Sequence, residues 1–350
     1  MSAPESTLCV IPGLIWPTTG VSEALSALTL PGLSALFAQA KEHHAPPCPL
    51  DVWLAGQFGL QGKLPFAALR LAGEQESTPD DETLWACADP VSLRFARQHL
   101  LLDAPETLGL QAAEMDSLLA DLNKTFADIG RFSRTSPEHC YLALNSEHGD
   151  KLPVTLAALA DVESRPVAQF QAQGEQAAWW SKLANELQVF CHNHAVNTAR
   201  EARRSPALNS LWLWGLGRTP HGLTPPDANM AARLLAPNAN LAGLARLAHS
   251  NIATFDAQQP AAWSLIDDLH APAQQRDAAA WSQALQRLDD EVFVPLAQQL
   301  RSGRIQHLRI VAPGDTALAQ FNISPTPRWK FWQGGASKTQ LVAALGKPSA

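Results

Sequence analysis

One segment in the second half of the chain combines residue types that could hold an anionic ligand. Asn197 and Arg200 are three positions apart, so one helical turn would place an amide beside a guanidinium. Such a pair can bind a phosphate or a carboxylate, and glycines after a strand let the backbone approach a ligand closely. The sequence predicts a ligand site built from Asn197, Arg200, Asn209, Trp214, Gly215 and Gly217.

The same residues also fit a structural role, which stays open at this point. Asn and Arg commonly cap helix ends, and tryptophans fill cores. His192 and His194 flank Asn193, but a two-histidine set would bind a metal weakly, and a surface or capping role is favoured. The sequence contains no P-loop, GxGxxG, HExxH or GxSxG motif.

Composition narrows the class of protein. The 350 residues are 46% hydrophobic and 17% charged, with a net charge of -7 and no basic run, which disfavours nucleic acid as a partner. Five scattered cysteines without a CxxC pair are typical of reduced thiols. No apolar run is long enough to span a membrane. We therefore expect a cytoplasmic protein with neither a nucleic-acid nor a membrane partner.

Strands and helices must position these residues. Apolar runs predict strands at 8–16, 140–144, 210–217, 263–268 and 308–312, the last of the chain. Helical spacing predicts helices at 111–126, 174–191, 227–249 and from 277, where Pro295 kinks or ends the helix. The pattern indicates an α/β core interrupted by an α+β insertion.

Several segments, taken in order, resemble the archaeal-type cofactor-independent phosphoglycerate mutases of the alkaline-phosphatase superfamily. The segments are VIPGLIW, SALTLPGLSALFAQA, FGLQGKLPFAALRLAG, HAVNTAREARRSPALNSLWLWGLG and NANLAGLARLAH. Within the superfamily the chain is most similar to a bacterial set described as regulatory proteins of pathogenicity-factor clusters. The resemblance implies an alkaline-phosphatase-like sheet with helices on both faces, formed by 1–66 and 174–335. It also implies an inserted domain at 67–173, and we expect a flexible tail at 336–350.

That superfamily uses two divalent metals and a Ser or Thr nucleophile. At the position of the first metal-binding Asp this chain has Pro12, and the nucleophile position falls on Leu50, before Asp51. The late Asp-His pair would fall near Asp315, where no histidine stands. The resemblance therefore implies a degenerate site.

Asp267, Asp268 and His270 lie near the family's Asp-x-x-x-His metal segment, at altered spacing. A solvated acidic loop is the favoured interpretation, and no cofactor is assigned. We expect a non-catalytic homologue that binds a small phosphorylated or carboxylated metabolite, with a regulatory role. One alternative is a phosphomutase or phosphatase that holds one divalent metal on these residues and Asp315. Another is a protein-interaction module that uses Trp329 and Trp332, with an unknown partner.

Overall fold

Short buried strands alternate with amphipathic helices in the computed structural model, which describes residues 6–75, 77–96, 99–152, 154–163, 165–325 and 335–346. The first of two compact units comprises Met1–Gly59, Thr224–Asn238 and Ala248–Ala350. The second unit comprises Leu60–Leu223 and Ala239–Leu247.

The strands are β1 (Ser6–Val10), β2 (Lys41–Ala45), β3 (Trp85–Ala96), β4 (His99–Asp103), β5 (Gly130–Arg134), β6 (Cys140–Leu144), β7 (Ser210–Gly217), β8 (Met230–Arg233), β9 (Ile252–Thr254), β10 (Trp263–Ile266), β11 (His307–Ala312) and β12 (Leu318–Ile323). The α-helices are α1 (Val21–Ala24), α2 (Pro31–Phe37), α3 (Leu50–Gln57), α4 (Phe66–Glu74), α5 (Ala112–Thr125), α6 (Leu159–Val162), α7 (Ala177–Asn193), α8 (Val196–Ala202), α9 (Ala239–Leu247), α10 (His270–Gln275), α11 (Ala278–Leu288), α12 (Val294–Ser302) and α13 (Lys338–Leu345).

The first unit is built on a seven-stranded sheet in the order β2-β12-β11-β1-β10-β8-β9. Strand β1 pairs in parallel with β10 and β11, whereas β12 pairs antiparallel with both β11 and β2 near one edge. Successive residues of β1, from Thr7 to Val10, are all buried, so both faces of this strand are covered. Helices lie on both faces of the sheet, which confirms the predicted α/β class.

A long helical stretch supplies much of this unit's core. Trp281, Leu285 and Leu288 of α11 are fully buried, as their spacing predicts. A π-helical turn over Asp289–Phe293 then joins α11 to α12. Pro295 lies in the first turn of α12, where a helix tolerates a residue without an N–H donor. The helical stretch therefore does not end at Pro295, because it continues from α11 through the π turn into α12.

The second unit contains a five-stranded antiparallel sheet in the order β4-β3-β6-β5, with β7 paired to β3. Helix α5 begins with a capping box, in which Gln111 and Glu114 exchange side-chain-to-backbone hydrogen bonds. Its apolar face, including Met115 and Leu118, is buried against the sheet core. The predicted helix at 111–126 and strand at 140–144 are confirmed.

Helices α4 and α9 of the second unit cross at two glycines. A Cβ on Gly73 would lie 1.9 Å from the Ala239 carbonyl oxygen, and a Cβ on Gly243 would lie 1.9 Å from the Leu69 oxygen. No side chain can occupy either position at this separation. The two helix backbones therefore touch, although about 170 residues separate them in the sequence.

Three predicted elements differ from the structure. The window 227–249 holds strand β8 before helix α9, because Met230–Arg233 pairs in parallel with β10. Strand β12 follows β11 and completes the sheet, so 308–312 is not the last strand. Within the tail expected to be flexible at 336–350, residues Lys338–Leu345 form α13, which buries Leu341 and Leu345.

The division into units also differs from the predicted 1–66, 67–173 and 174–335. The second unit continues to Leu223, because α7 packs on β7 and β7 pairs with β3. It also takes in α9, through the contact with α4. Among the described residues, no helix is both long enough and apolar enough to cross a bilayer.

Candidate binding site

Asn197, from the predicted ligand site, closes the turn that follows α7. Its amide nitrogen donates to the carbonyl oxygens of Cys191 (2.8 Å) and Leu208 (2.9 Å). Its amide oxygen accepts from the Leu208 N–H at 2.8 Å. The side chain also borders an open surface groove of about 650 Å³ together with Arg204. Its hydrogen-bonding atoms hold backbone, so Asn197 has a structural role.

Arg200 is fully buried in the second unit. Its guanidinium pairs with Glu114 at 2.8 Å and donates to the Pro206 carbonyl oxygen at 2.7 Å. Burial raises the pKa of Glu114. The hydrogen bond from Arg203 and the charge of Arg200 contribute to a larger opposite effect, so the pKa is lowered overall. The arginine expected to hold a ligand instead anchors α8 to the start of α5.

The remaining predicted residues organise β3 and β7. The Asn209 side chain accepts from the Leu93 N–H at 2.7 Å and donates to the Leu93 oxygen at 2.8 Å. Trp214 donates its indole N–H to Asp89 at 2.7 Å. Gly215 has φ 64°, and a Cβ there would lie 2.8 Å from the Phe66 Cβ.

Gly217 also lacks room, because a Cβ there would lie 2.3 Å from the Pro65 Cβ. Because both glycines lack a side chain, the start of α4 packs directly against β7.

The ends of three parallel strands in the first unit surround a different cavity. Strands β1, β10 and β11 are mutually parallel, so their carboxyl ends meet at one sheet edge, where open α/β sheets bind ligands. The cavity there has a volume of about 130 Å³. The loops after the strands, the start of α3 and helix α10 line it with Gly13, Ile15, Pro17, Pro49, Leu50, Asp51, His270, Ala273, Gln274, Pro313, Gly314, Asp315, Thr316 and Ala317. We call it the edge cavity.

Backbone contacts fix the walls of the edge cavity. Gly13 has φ +76°, and a Cβ there would lie 2.3 Å from the Leu269 oxygen. The indole N–H of Trp281 donates to the Gly13 oxygen at 2.7 Å. The Cys48 N–H donates to the Gly314 oxygen at 3.1 Å, which ties the start of α3 to the loop after β11. Hydrogen bonds and close backbone packing therefore hold the walls of the edge cavity in place.

The charged side chains of the edge cavity are acidic. Asp51 and Asp315 belong to its lining, and the described lining contains neither Lys nor Arg. Burial lowers the pKa of His270, and the opposing effect of the Asp315 charge is smaller. The lowered pKa favours the neutral form of the imidazole. A cavity with this lining favours a neutral or cationic ligand over a phosphate.

The residues at the expected metal positions do not fit a metal. Both carboxylate oxygens of Asp268, which is 1% exposed, lie 3.0 Å from Nε of Arg233. Arg233 also pairs with Glu291 at 2.7 Å. Asp267 accepts from the Leu235 N–H at 2.8 Å, and burial raises its pKa. A guanidinium supplies the positive charge that a metal would bring to Asp268.

No group of three or more His, Cys, Asp or Glu side chains that could hold a metal exists within the described part of the chain. Pro12 and Leu50, at the other expected positions, carry no ligand atom. The residues Asp267, Asp268 and His270 therefore do not form one site.

Arg233 is the partner of Asp268 that the sequence analysis missed. It ends β8 opposite Ile266 of β10, so the strand ladder brings it beside Asp268. A predicted strand at 230–233 would have indicated that Arg233 lies near the end of β10. The sequence pattern instead predicts a helix over 227–249. Trp329 and Trp332, proposed as interface residues, lie outside the described residues.

Comparison with solved structures shows the fold. The PH0037 protein of Pyrococcus horikoshii is similar over 99% of this chain and 94% of its own, with a TM-score of 0.61 at 12% identity. A cofactor-independent phosphoglycerate mutase from Thermoplasma acidophilum matches over 100% and 96% of the chains, with a TM-score of 0.44 at 14% identity. No protein-family model and no curated protein matches the sequence. The chain therefore shares its α/β fold with PH0037.

Proposed function

We propose that this protein is a non-catalytic binding protein that takes a small neutral or cationic molecule into the edge cavity. The observation that carries the non-catalytic part of the proposal is the ion pair between Arg233 and Asp268. Arg233 neutralises Asp268, which the family resemblance implies is near a metal site. Pro12 and Leu50 stand at the positions where the resemblance implies a metal ligand and a nucleophile. Binding without turnover suits a regulatory role, which is part of the proposal.

The size of the edge cavity limits the ligand. A volume of about 130 Å³ corresponds to roughly four water molecules at their share of the liquid. Ethanolamine fits this size and carries one positive charge. The phosphorylated or carboxylated metabolite expected from the sequence would meet the Asp315 carboxylate, and the described lining offers it neither Lys nor Arg.

Turnover tests the non-catalytic half of the proposal. We expect no hydrolysis of 4-nitrophenyl phosphate and no mutase activity on 3-phosphoglycerate with Mg²⁺, Mn²⁺ or Zn²⁺, because no nucleophile stands beside a metal-ligand set in the described cavity. The assay compares the wild type with Asp268→Ala. Turnover in the wild type that disappears in this variant contradicts the proposal and supports the one-metal enzyme.

Binding tests the other half. Ethanolamine should raise the melting temperature of the wild type more than acetate or phosphate does, since the cavity lining is acidic. Asp315→Asn should remove the ethanolamine effect. Asp290→Asn makes the same charge change at an exposed helical position and should leave the effect intact. Equal shifts from ethanolamine and acetate, or an undiminished shift in Asp315→Asn, would contradict the assignment.

A further inference from the structure

The second unit holds a cavity of different chemistry, and we propose that it binds a small neutral molecule that is mostly apolar. Its volume is about 220 Å³. It lies between α7, the β3–β4–β7 part of the sheet, and a segment of residues 154–163 and 165–173, which we call the strap. We call the space the strap cavity. The site is independent of the edge cavity in the first unit.

Each wall of the strap cavity contributes apolar side chains. Helix α7 provides Trp180 and Ala184, and the sheet provides Leu93, Leu100 and Trp212. The strap covers the opposite side with Leu156, Ala157, Val167, Phe170 and Ala172. Leu93, Leu100, Phe170 and Trp212 are only partly buried, although they pack against a cluster of buried residues. They therefore present apolar surface to the cavity.

Hydrogen bonds fix the strap and the two tryptophan rings around the cavity. The indole N–H of Trp212 donates to the Ala157 oxygen, and that of Trp180 donates to the Lys151 oxygen, each at 3.0 Å. The backbones of Thr155 and Gln173 pair at 2.7 and 3.0 Å. Because both indole N–H groups are engaged, the two rings offer a ligand apolar surface and not a donor.

The lining sets the chemical class of the ligand. No charged side chain belongs to the described lining, so a charged ligand would lose hydration without gaining a partner. Ser181, Asn185, Gln188, Gln171 and Ser210 supply neutral hydrogen-bonding groups. An apolar cavity of about 150 Å³ already holds a benzene ring in a protein. The strap cavity therefore suits one aromatic ring with a single hydroxyl or similar polar group.

The test uses two fluorinated probes of nearly equal size, 4-fluorophenol and 4-fluorobenzoate, observed by fluorine NMR at pH 7. The neutral phenol should bind, and the anionic benzoate should bind at least about tenfold more weakly. Ala184→Leu extends a helix-compatible side chain into the cavity and should weaken phenol binding at least about tenfold. Ala178→Leu makes the same change on an exposed position of α7 and should bind like the wild type.

Hydrogen exchange of the wild type provides a second readout that needs no variant. Adding 4-fluorophenol should slow exchange in the strap and in α7 around Trp180 to Gln188. Equal binding of both probes, equal phenol binding by Ala184→Leu and the wild type, or protection confined to the first unit would each overturn the proposal. If Ala184→Leu fails to fold, the probe comparison and the exchange pattern of the wild type decide.

Discussion

Arg70 and Asp89 form an ion pair inside the second unit, with both side chains nearly excluded from solvent. The contact is bidentate, at 2.8 and 2.7 Å, and Asp89 also accepts from Trp214 and from the Cys140 N–H. Arg70→Met leaves a buried carboxylate without its counter-charge. We expect it to lower the free energy of unfolding by about 3–5 kcal/mol, as measured by denaturant titration.

The control for this prediction is Arg94→Met, which removes the pair between Arg94 and Asp103. That pair joins two strands at the surface, where solvent screens the charges. Its loss should change the free energy of unfolding little. Similar effects of the two substitutions would show that the Arg70–Asp89 pair contributes no more than a surface contact.

Glu74 and His139 form a second pair, joined at 2.6 Å and supported by Tyr141 at 2.6 Å. The hydrogen bond to Glu74 raises the pKa of His139. Burial raises the pKa of Glu74, but its hydrogen bonds from His139, Thr135 and Tyr141 together lower it overall. Folding therefore favours the charged form of both groups.

These two shifts define a pH window. The Glu74 contribution is present above the ordinary carboxyl value of 4.5 and is lost as pH falls through the lowered folded pKa. The His139 contribution is complete below 6.5 and is lost as pH rises through the raised folded pKa. The stability difference between the wild type and His139→Asn should be largest between pH 4.5 and 6.5.

Denaturant titrations at pH 5.5 and pH 9 test this prediction. His221→Asn, at an exposed pair with Asp81, is the control and should show no such window. A difference between the wild type and His139→Asn that is the same at both pH values would contradict the assignment.

The sequence identified residues that matter at this scale, but it could not give their roles. Asn197, Arg200 and Asn209 each hydrogen-bond to backbone carbonyl groups, a structural role that their types also allow. Glu114, the partner of Arg200, and Leu93, the partner of Asn209, lie about 85 to 115 residues away. Asn197 instead holds backbone groups 6 and 11 residues away. A side chain that hydrogen-bonds to the backbone and one that binds a ligand can have the same residue type and the same neighbours in the sequence.

At the scale of elements, the crossing of α4 and α9 depends on glycine. Gly243→Ala places a methyl group against the Leu69 carbonyl and forces the helices apart. We expect a loss of about 1–3 kcal/mol in the free energy of unfolding, which denaturant titration measures.

Gly56→Ala is the matched control, because a Cβ at Gly56 of α3 has nothing within 4 Å. It should stabilise the protein by about 0.5–1 kcal/mol through helix propensity alone. If Gly243→Ala also stabilised the protein, the close contact between α4 and α9 would be refuted.

Helix α2 is capped by a residue from a distant element. Asp289, in the π turn, accepts from the N–H groups of Gly32 at 2.9 Å and Leu33 at 2.7 Å. Asp289→Ala should cost about 1–2 kcal/mol of stability, since both donors lose their partner. The neighbouring Asp290 is exposed, so Asp290→Ala is the control in the same thermal or denaturant melt. Equal effects would contradict the capping role.

Elements with a strong repeating pattern were predicted well, and short ones were not. The helix at 111–126 carries a full apolar face, and CYLAL reads as one buried strand. Strand β8 has four residues, and only its pairing with β10 distinguishes it from the start of a helix. Helix α13 buries two leucines through contacts with distant residues, which its own sequence does not show.

At the scale of the whole molecule, each unit has its own sheet, and the two proposed binding cavities lie in different units. The edge cavity in the first unit is acidic, and the strap cavity in the second unit has no charged group in its described lining. The overall α/β class could be predicted from alternating patterns. The unit boundaries could not, because they depend on the pairing of β7 with β3 and the contact of α9 with α4.

The proposed function depends on Arg233, and not a metal ion, neutralising Asp268. The most direct test is the metal content of the purified protein by plasma mass spectrometry, after incubation with Mn²⁺ and Zn²⁺ and removal of free ions. We predict no retained metal in the wild type or in Asp268→Ala, because Arg233 already neutralises Asp268. One metal per chain in the wild type, lost in Asp268→Ala, would show that Asp268 binds a metal and would contradict the proposed function.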